Sequence, residues 1–145
     1  MKGIMDSISK DGMSAALISG IKEVLDSDLI GVDNEDVEII LSLGNATVYS
    51  TQAVGINRAT AAAQQAVANF LKKNNLLSNV QGILMSVSAN QSLKMREVHN
   101  ALDIIRGTLS EDTLIVVGAV LRNEMNEALR LTIIATGTKL TASLD

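Results

Sequence analysis

The chain has 145 residues, 47% of them hydrophobic, and at that length a single domain can bury roughly two-thirds of its unfolded surface. The formal net charge is -4, and the 12 basic residues are scattered, which argues against a protein that binds a nucleic-acid backbone. The absence of cysteine excludes disulfides and thiolate metal sites, and the single histidine, His99, excludes a histidine-rich metal site.

The kind and distribution of apolar residues predict a folded domain that does not insert into a membrane. Tyr49 and Phe70 are the only aromatic residues, so aliphatic side chains fill the core and a base-stacking surface for nucleic acid is not expected. No stretch approaches the roughly 20 apolar residues of a membrane span, and the first ten residues lack the apolar run of a signal peptide. A reducing, cytoplasmic location is expected.

The first predicted elements are helices. Apolar residues keep a helical period over residues 4–25, which indicates one long helix or two, although Gly12 and Gly20 weaken the pattern. Residues 33–36 have the sequence DNED and precede a short apolar group. An acidic residue with a second carboxylate three positions later is typical of a helix start, because the first backbone N–H groups need acceptors. A second, short helix that ends at Gly44 is therefore predicted.

Strand and helix patterns alternate through the rest of the chain. In order they predict a strand, a helix, a strand, a helix and two strands over residues 46–51, 57–73, 82–89, 94–109, 113–121 and 128–136. This order predicts an α/β fold, an α+β two-layer sandwich with a four-stranded mixed sheet covered by helices mainly on one face. The last two strands are expected to pair as an antiparallel hairpin, because only a loop of moderate length joins them.

Several segments, in the right order, resemble one known family. They are residues 20–25 (GIKEVL), 29–37 (LIGVDNEDV), 55–59 (GINRA) and, most specifically, the closing segments within residues 117–137. Together they resemble the C-terminal domain of FtsZ, the bacterial tubulin relative, from about residue 10 to residue 137. The family's N-terminal half, with its GGGTGTG-type phosphate loop, has no counterpart in this sequence.

The resemblance implies a division of the chain and a function. Residues 1–26 would form the long central-type helix and residues 27–145 the assembly domain, as one globular unit. The implied function is that of a filament-forming cell-division GTPase module, which supplies a catalytic loop in trans to the GTP site of a neighbouring subunit. The chain alone would then be no enzyme and would bind no cofactor. GTP with Mg²⁺ would belong to its assembly with an N-terminal domain or with further copies.

Within that loop the resemblance assigns catalytic roles to Asp33 and Asp36, which would position the attacking water and help hold the cation. A plain helix cap, typically worth about 1 kcal/mol, explains the same two residues. Two positions depart from the family: Gly31 replaces an asparagine, and Asn34 replaces an aromatic residue. The loop is also one residue shorter and lacks the usual proline. These departures leave open a stand-alone, non-catalytic FtsZ-like protein that caps or regulates filaments.

Other candidate residues receive structural interpretations. Arg58 is interpreted as a solvated side chain at a helix start, with anion binding as the alternative. The remaining charged and sulfur-containing candidates are interpreted as surface residues, Glu23, Asp26, Asp28 and His99, or as core filling, Met85 and Met95. An unrelated enzyme on a chorismate-mutase-like or ferredoxin-like sandwich is a third hypothesis, without a nucleophile and base or a cation cluster to support it.

Overall fold

Helices and strands follow one another in the order predicted from the sequence. The computed structural model describes residues 14–73 and 79–137. In chain order these residues form α1 (Ala15–Leu25), α2 (Asn34–Leu41), β1 (Ala46–Ala53), α3 (Arg58–Ala66), a π-helical segment (Val67–Lys72), β2 (Gly82–Ala89), α4 (Met95–Arg106), β3 (Leu114–Leu121), a 3-10 turn (Asn123–Met125) and β4 (Leu129–Thr136). The part of the first predicted helix that precedes residue 14 lies outside the described residues.

The four strands form one mixed sheet with the order β1-β4-β2-β3. β2 and β3 are parallel, whereas β4 lies between β1 and β2 and is antiparallel to both. The predicted hairpin of the last two strands is therefore wrong. After β3 the chain crosses the end of β2, where the backbone N–H of Arg122 donates to the carbonyl oxygen of Ala89 at 2.8 Å.

The burial of β4 explains why it takes an inner position. Its residues are buried on both faces apart from the partly exposed Arg130. An apolar strand gains most from burial when neighbours flank it on both sides and helices cover both faces. The two edges of the sheet are instead β1 and β3, and the two ends of β3 are exposed at Leu114 and Leu121.

Helices cover both faces of the sheet. On one face, α1 and α2 contribute Ile21, Val24 and Ile40 to a core that includes Leu84 and Ile134. On the other face, the alanines of α3 and the apolar side of α4 pack against alternate residues of the same strands. These strand residues include Ile83, Met85, Leu131 and Ile133. The α/β class and the four-stranded mixed sheet are confirmed. The helices are shared between the faces, rather than placed mainly on one, because every residue of β2 is buried and both faces of the strand are therefore covered.

Candidate functional site

The segment of residues 26–33, between α1 and α2, is attached to the edge of the sheet. The backbone N–H groups of Asp28, Leu29 and Ile30 donate to the carbonyl oxygen of Ala119 in β3, at 3.1, 2.9 and 3.2 Å. The N–H of Ala119 donates to the carbonyl oxygen of Ile30 at 3.0 Å, which makes a short antiparallel bridge. Backbone groups that an edge strand leaves unpaired thus find partners in this segment.

A buried polar contact fixes the start of the same segment. The Ser27 side chain is buried, and its Oγ lies 3.0 Å from the Oγ of Ser86 in β2. Gly118 of β3 lies directly beneath the segment, since a Cβ atom there would be 2.5 Å from the Oγ of Ser27 and 2.7 Å from Cγ2 of Val32. The missing side chain of Gly118 is therefore what allows the segment to lie this close to the strand.

Asp33 and Asp36 form a reciprocal pair at the start of α2. Oδ1 of Asp33 accepts a hydrogen bond from the backbone N–H of Asp36 at 3.0 Å, and Oδ2 of Asp36 accepts one from the N–H of Asp33 at 3.4 Å. This capping box satisfies two N–H groups that have no partner within the helix, so the predicted helix cap is confirmed. Each capping bond engages one carboxylate oxygen and leaves the second oxygen of the group outside that bond.

Buried neighbours present this pair to solvent. Val32 and Val37 are both buried in the core beneath α2. Asp33 between them is exposed, and Asp36 is partly exposed. Because the apolar anchors hold the backbone on both sides, the direction in which the two carboxylates face is set by the fold of the segment.

Glu23, near the end of α1, joins that helix to the sheet through two arginines. Nη2 of Arg130 in β4 lies 3.0 Å from its Oε2, and Nη2 of Arg122 lies 3.2 Å from its Oε1. Ser88 of β2 donates a hydrogen bond to the same carboxylate, and Arg122 also pairs with Asp26 at 3.0 Å. Burial alone would raise the pKa of Glu23, but the Ser88 hydrogen bond and the two guanidinium groups lower it below its ordinary value.

The interpretation of Glu23 as a solvated surface residue is therefore wrong, since only 16% of its side-chain surface is exposed. Asp26 and Asp28 are exposed, as predicted. The arginine partners of Glu23 lie 99 and 107 positions away in the chain. No local sequence signal reports a contact of that separation.

Arg58, the first residue of α3, is buried rather than solvated. Its Nε and Nη2 bind the two carboxylate oxygens of Glu97 at 2.7 and 3.0 Å. Nη1 donates to the carbonyl oxygen of Glu127 at 2.9 Å, and Nη2 also donates to Ser92 at 3.1 Å. The prediction of a solvated arginine is wrong, because the fork of the guanidinium meets a carboxylate that compensates its charge.

The remaining candidates have structural positions. His99 is exposed and Met85 is fully buried, both as predicted, whereas Met95 is 48% exposed and does not fill the core. Within residues 14–73 and 79–137, no group of three or more acidic or histidine side chains is arranged to hold a metal ion. No helix in that part of the chain is long and apolar enough to cross a membrane.

Comparison with known proteins gives the family of this chain. Residues 44–139 match the family model described as FtsZ family, C-terminal domain. The chain belongs to the FtsZ family. The cell division protein FtsZ of Haemophilus influenzae is 38% identical over 125 residues, which are 83% of this chain and 30% of that protein. FtsZ of Buchnera aphidicola is 32% identical over 130 residues, which are 88% of this chain and 34% of that protein.

Solved FtsZ structures share the fold. An FtsZ mutant from M. jannaschii superimposes with a TM-score of 0.74 at 21% identity, covering 97% of this chain and 42% of that chain. An FtsZ dimer from M. jannaschii gives a TM-score of 0.69 at 22% identity, covering 92% of this chain and 39% of that chain. The FtsZ resemblance read from the sequence is confirmed. The chain spans about a third of the length of the curated FtsZ relatives it matches.

The two departures from the FtsZ loop pattern lie beside the acidic pair. Gly31 is exposed, and no heavy atom lies within 4 Å of the position that a Cβ atom would take. Asn34 is partly buried as the first residue of α2. Gly31 therefore lacks the asparagine side chain that the FtsZ resemblance predicts at this position, although there is open space for one.

Proposed function

We propose that this chain is the assembly module of an FtsZ-type cell-division GTPase and that it supplies Asp33 and Asp36 in trans to the GTP site of a neighbouring subunit. Residues 1–26 would be the long central helix of that protein, and residues 27–145 its assembly domain. Membership of the FtsZ family supports the coarse part of the proposal. The observation that carries the finer part is a carboxylate pair, with Asp33 exposed and Asp36 partly exposed, at the end of a segment that is bonded to the edge of the sheet.

The chemistry of GTP hydrolysis suits such a pair. Phosphoryl transfer to water needs an oriented water molecule and compensation of developing charge, and it needs little covalent assistance from the protein. Asp33 caps α2 and Asp36 lies three residues later, on its first turn, so both side chains lie on the same side of the helix. The carboxylate oxygens outside the capping bonds would accept hydrogen bonds from the attacking water.

Magnesium fits the pair in combination with a nucleotide. Mg²⁺ takes oxygen ligands, and proteins commonly hold it with one or two carboxylates together with substrate phosphates. Asp33 and Asp36 offer oxygen atoms of this kind, and no third acidic or histidine side chain of the described residues joins them. The phosphate oxygens of GTP on the neighbouring subunit would complete such a site. Bound there, the ion would offset negative charge on the phosphates.

A second candidate function is a non-catalytic FtsZ-like protein that caps or regulates filaments. Gly31 favours it, because a loop that lacks a side chain at this position has one polar contact fewer to offer a nucleotide. Assembly with FtsZ subunits is common to both candidates. They differ in whether the acidic pair acts on GTP.

Phosphate release separates the two candidates. The chain is mixed with the nucleotide-binding half of a relative, such as FtsZ of Haemophilus influenzae, and GTP turnover is measured. We expect the chain to stimulate turnover and Asp33→Asn to lower that stimulation by about 100-fold or more, the usual scale for a lost acid–base group. Because asparagine caps helices as well as aspartate does, the thermal midpoint of Asp33→Asn should stay unchanged.

Two further variants complete the experiment. Glu35→Gln removes an exposed carboxylate from the same turn and should leave turnover unaltered. Gly31→Asn introduces the family's side chain into open space and should raise turnover. Equal turnover for Asp33→Asn and the unmodified chain would contradict the catalytic role. If the chain shortens filaments of full-length FtsZ without any dependence on Asp33, the second candidate is supported.

A further inference from the structure

We infer that Glu23 is a positioning residue, which fixes the end of α1 to the sheet and thereby holds the segment of residues 26–33 in place. The groups that carry this role are here called the Glu23 cluster: Glu23, Asp26, Ser88, Arg122 and Arg130. The link between this cluster and GTP turnover rests on the proposed function. The mechanical role of the cluster stands on the contacts alone.

The Glu23 cluster joins separate parts of the fold at one carboxylate. Oε2 of Glu23 receives Ser88 from β2 and Arg130 from β4, so α1 is tied to the two inner strands. Arg122, which follows β3, reaches both Oε1 of Glu23 and Oδ2 of Asp26. Since Glu23 and Asp26 are three positions apart, one guanidinium bridges the last turn of the helix on the side that faces the sheet.

Charge and burial in the Glu23 cluster favour a defined geometry. Two carboxylates meet two guanidinium groups, so the formal charges of the cluster cancel. The side chains of Glu23, Arg122 and Arg130 are 16%, 23% and 27% exposed, so they are largely withdrawn from water. Ion pairs that are partly buried are screened less than those on an open surface, and a network holds its geometry better than an isolated pair.

The segment begins where the Glu23 cluster ends. Asp26 caps α1, with its N–H bonded to the carbonyl oxygen of Lys22, and Ser27 follows at its buried contact with Ser86. The next three residues make the bridge to Ala119. If the cluster opens, the last turn of α1 is released. The segment that leads to Asp33 is then held only by the Ser27 contact and the bonds to Ala119 at the edge of the sheet.

Amide hydrogen exchange on the purified chain tests the inference. The N–H groups of Asp28, Leu29 and Ile30 all bond to Ala119, so their exchange reports opening of the segment. For Glu23→Gln we expect these three amides to exchange about 10-fold faster, while amides of Leu131 and Ile133 in β4 keep their rates. Glu35→Gln, which alters an exposed carboxylate on α2, serves as the matched control and should change neither group.

A second variant covers the case in which Glu23→Gln fails to fold. Arg122→Gln leaves the contacts of Glu23 with Ser88 and Arg130 intact, and it should accelerate the same three amides by a smaller factor. Unchanged exchange at residues 28–30 overturns the inference. An equal acceleration of the β4 amides also overturns it, because the effect would then be global destabilisation.

The turnover assay keeps this inference separate from the proposed function. If the proposed function holds, Glu23→Gln should lower the stimulated phosphate release, although residue 23 lies outside the acidic pair. If Asp33→Asn leaves turnover unchanged while Glu23→Gln accelerates exchange at residues 28–30, the proposed catalytic role fails and the positioning role of Glu23 stands.

Discussion

Arg58 and Glu97 meet in a forked ion pair between α3 and α4, with their side chains only 7% and 15% exposed. The Glu97 carboxylate also accepts the backbone N–H of Lys94 at 2.9 Å, where α4 begins. Arg58 reaches the carbonyl oxygen of Glu127, just before β4. One pair thus connects the starts of two helices with the approach to an inner strand, which makes it a structural counterpart of the Glu23 cluster on the other face.

Loss of this pair should be costly. Arg58→Met leaves the carboxylate of Glu97 largely buried without its counter-charge, and we expect the free energy of unfolding to fall by about 3–5 kcal/mol. Arg58→Lys should lose less, because a charge remains although the forked geometry is gone. Urea denaturation followed by circular dichroism measures both. The control is Arg96→Met on the exposed side of α4, and similar losses for Arg58→Met and Arg96→Met would contradict the prediction.

Stability should fall in acid through Glu23 and Glu97. Burial opposes the ionised form of each, but hydrogen bonds and guanidinium groups outweigh it and lower both pKa values below the ordinary 4.5. The unfolded chain therefore takes up protons at a higher pH than the folded chain does. The stabilisation is present above the ordinary pKa and is lost as the pH falls through the lowered values.

We expect the urea midpoint to decrease as the pH falls below the ordinary carboxyl pKa of about 4.5. A Glu23→Gln and Glu97→Gln double variant should be less stable at neutral pH and should show a shallower decrease over that range. A Glu35→Gln and Glu38→Gln double variant, which alters exposed carboxylates of α2, is the matched control. Parallel pH profiles for the unmodified chain and the Glu23 and Glu97 variant would refute this assignment.

Gly118 should tolerate no side chain. A Cβ atom at this position overlaps the side chains of Ser27 and Val32, so Gly118→Ala should displace both and loosen the packing of residues 26–33 on β3. Overpacking of this kind typically costs about 1–3 kcal/mol, which a thermal or urea melt detects. Gly31 lies in the same segment, and a Cβ atom there would have no heavy atom within 4 Å. The free energy of unfolding of Gly31→Ala should therefore stay within about 0.5 kcal/mol of that of the unmodified chain. Comparable effects of the two alanines would show that packing at Gly118 is not the determinant.

Local sequence patterns predicted the helices and strands well, but they did not predict which strands pair or which charged residues form ion pairs. The bounds of β2 and the capping box of Asp33 and Asp36 follow from periodicity and from the needs of a helix start, which are properties of neighbouring residues. The inner place of β4 depends on which strands gain most from burial across the whole sheet. The partners of Glu23 and Arg58 likewise come from remote segments of the chain. The family resemblance pointed to the acidic pair, but it did not predict the Glu23 cluster or the bridge to Ala119 that hold the preceding segment.

The position of β4 in the sheet determines when the other strands can pair during synthesis of the chain. β1 pairs with β4 alone, and the partner of Ala46 is Thr136, near the end of the described residues. A nascent chain that has emerged from the ribosome only as far as β3 can form the parallel β2–β3 pair, but β1 must wait for residues 129–136. Until these are synthesised, β1 and the inner edge of β2 stay open to chaperones and to other chains, because they lack their backbone partner.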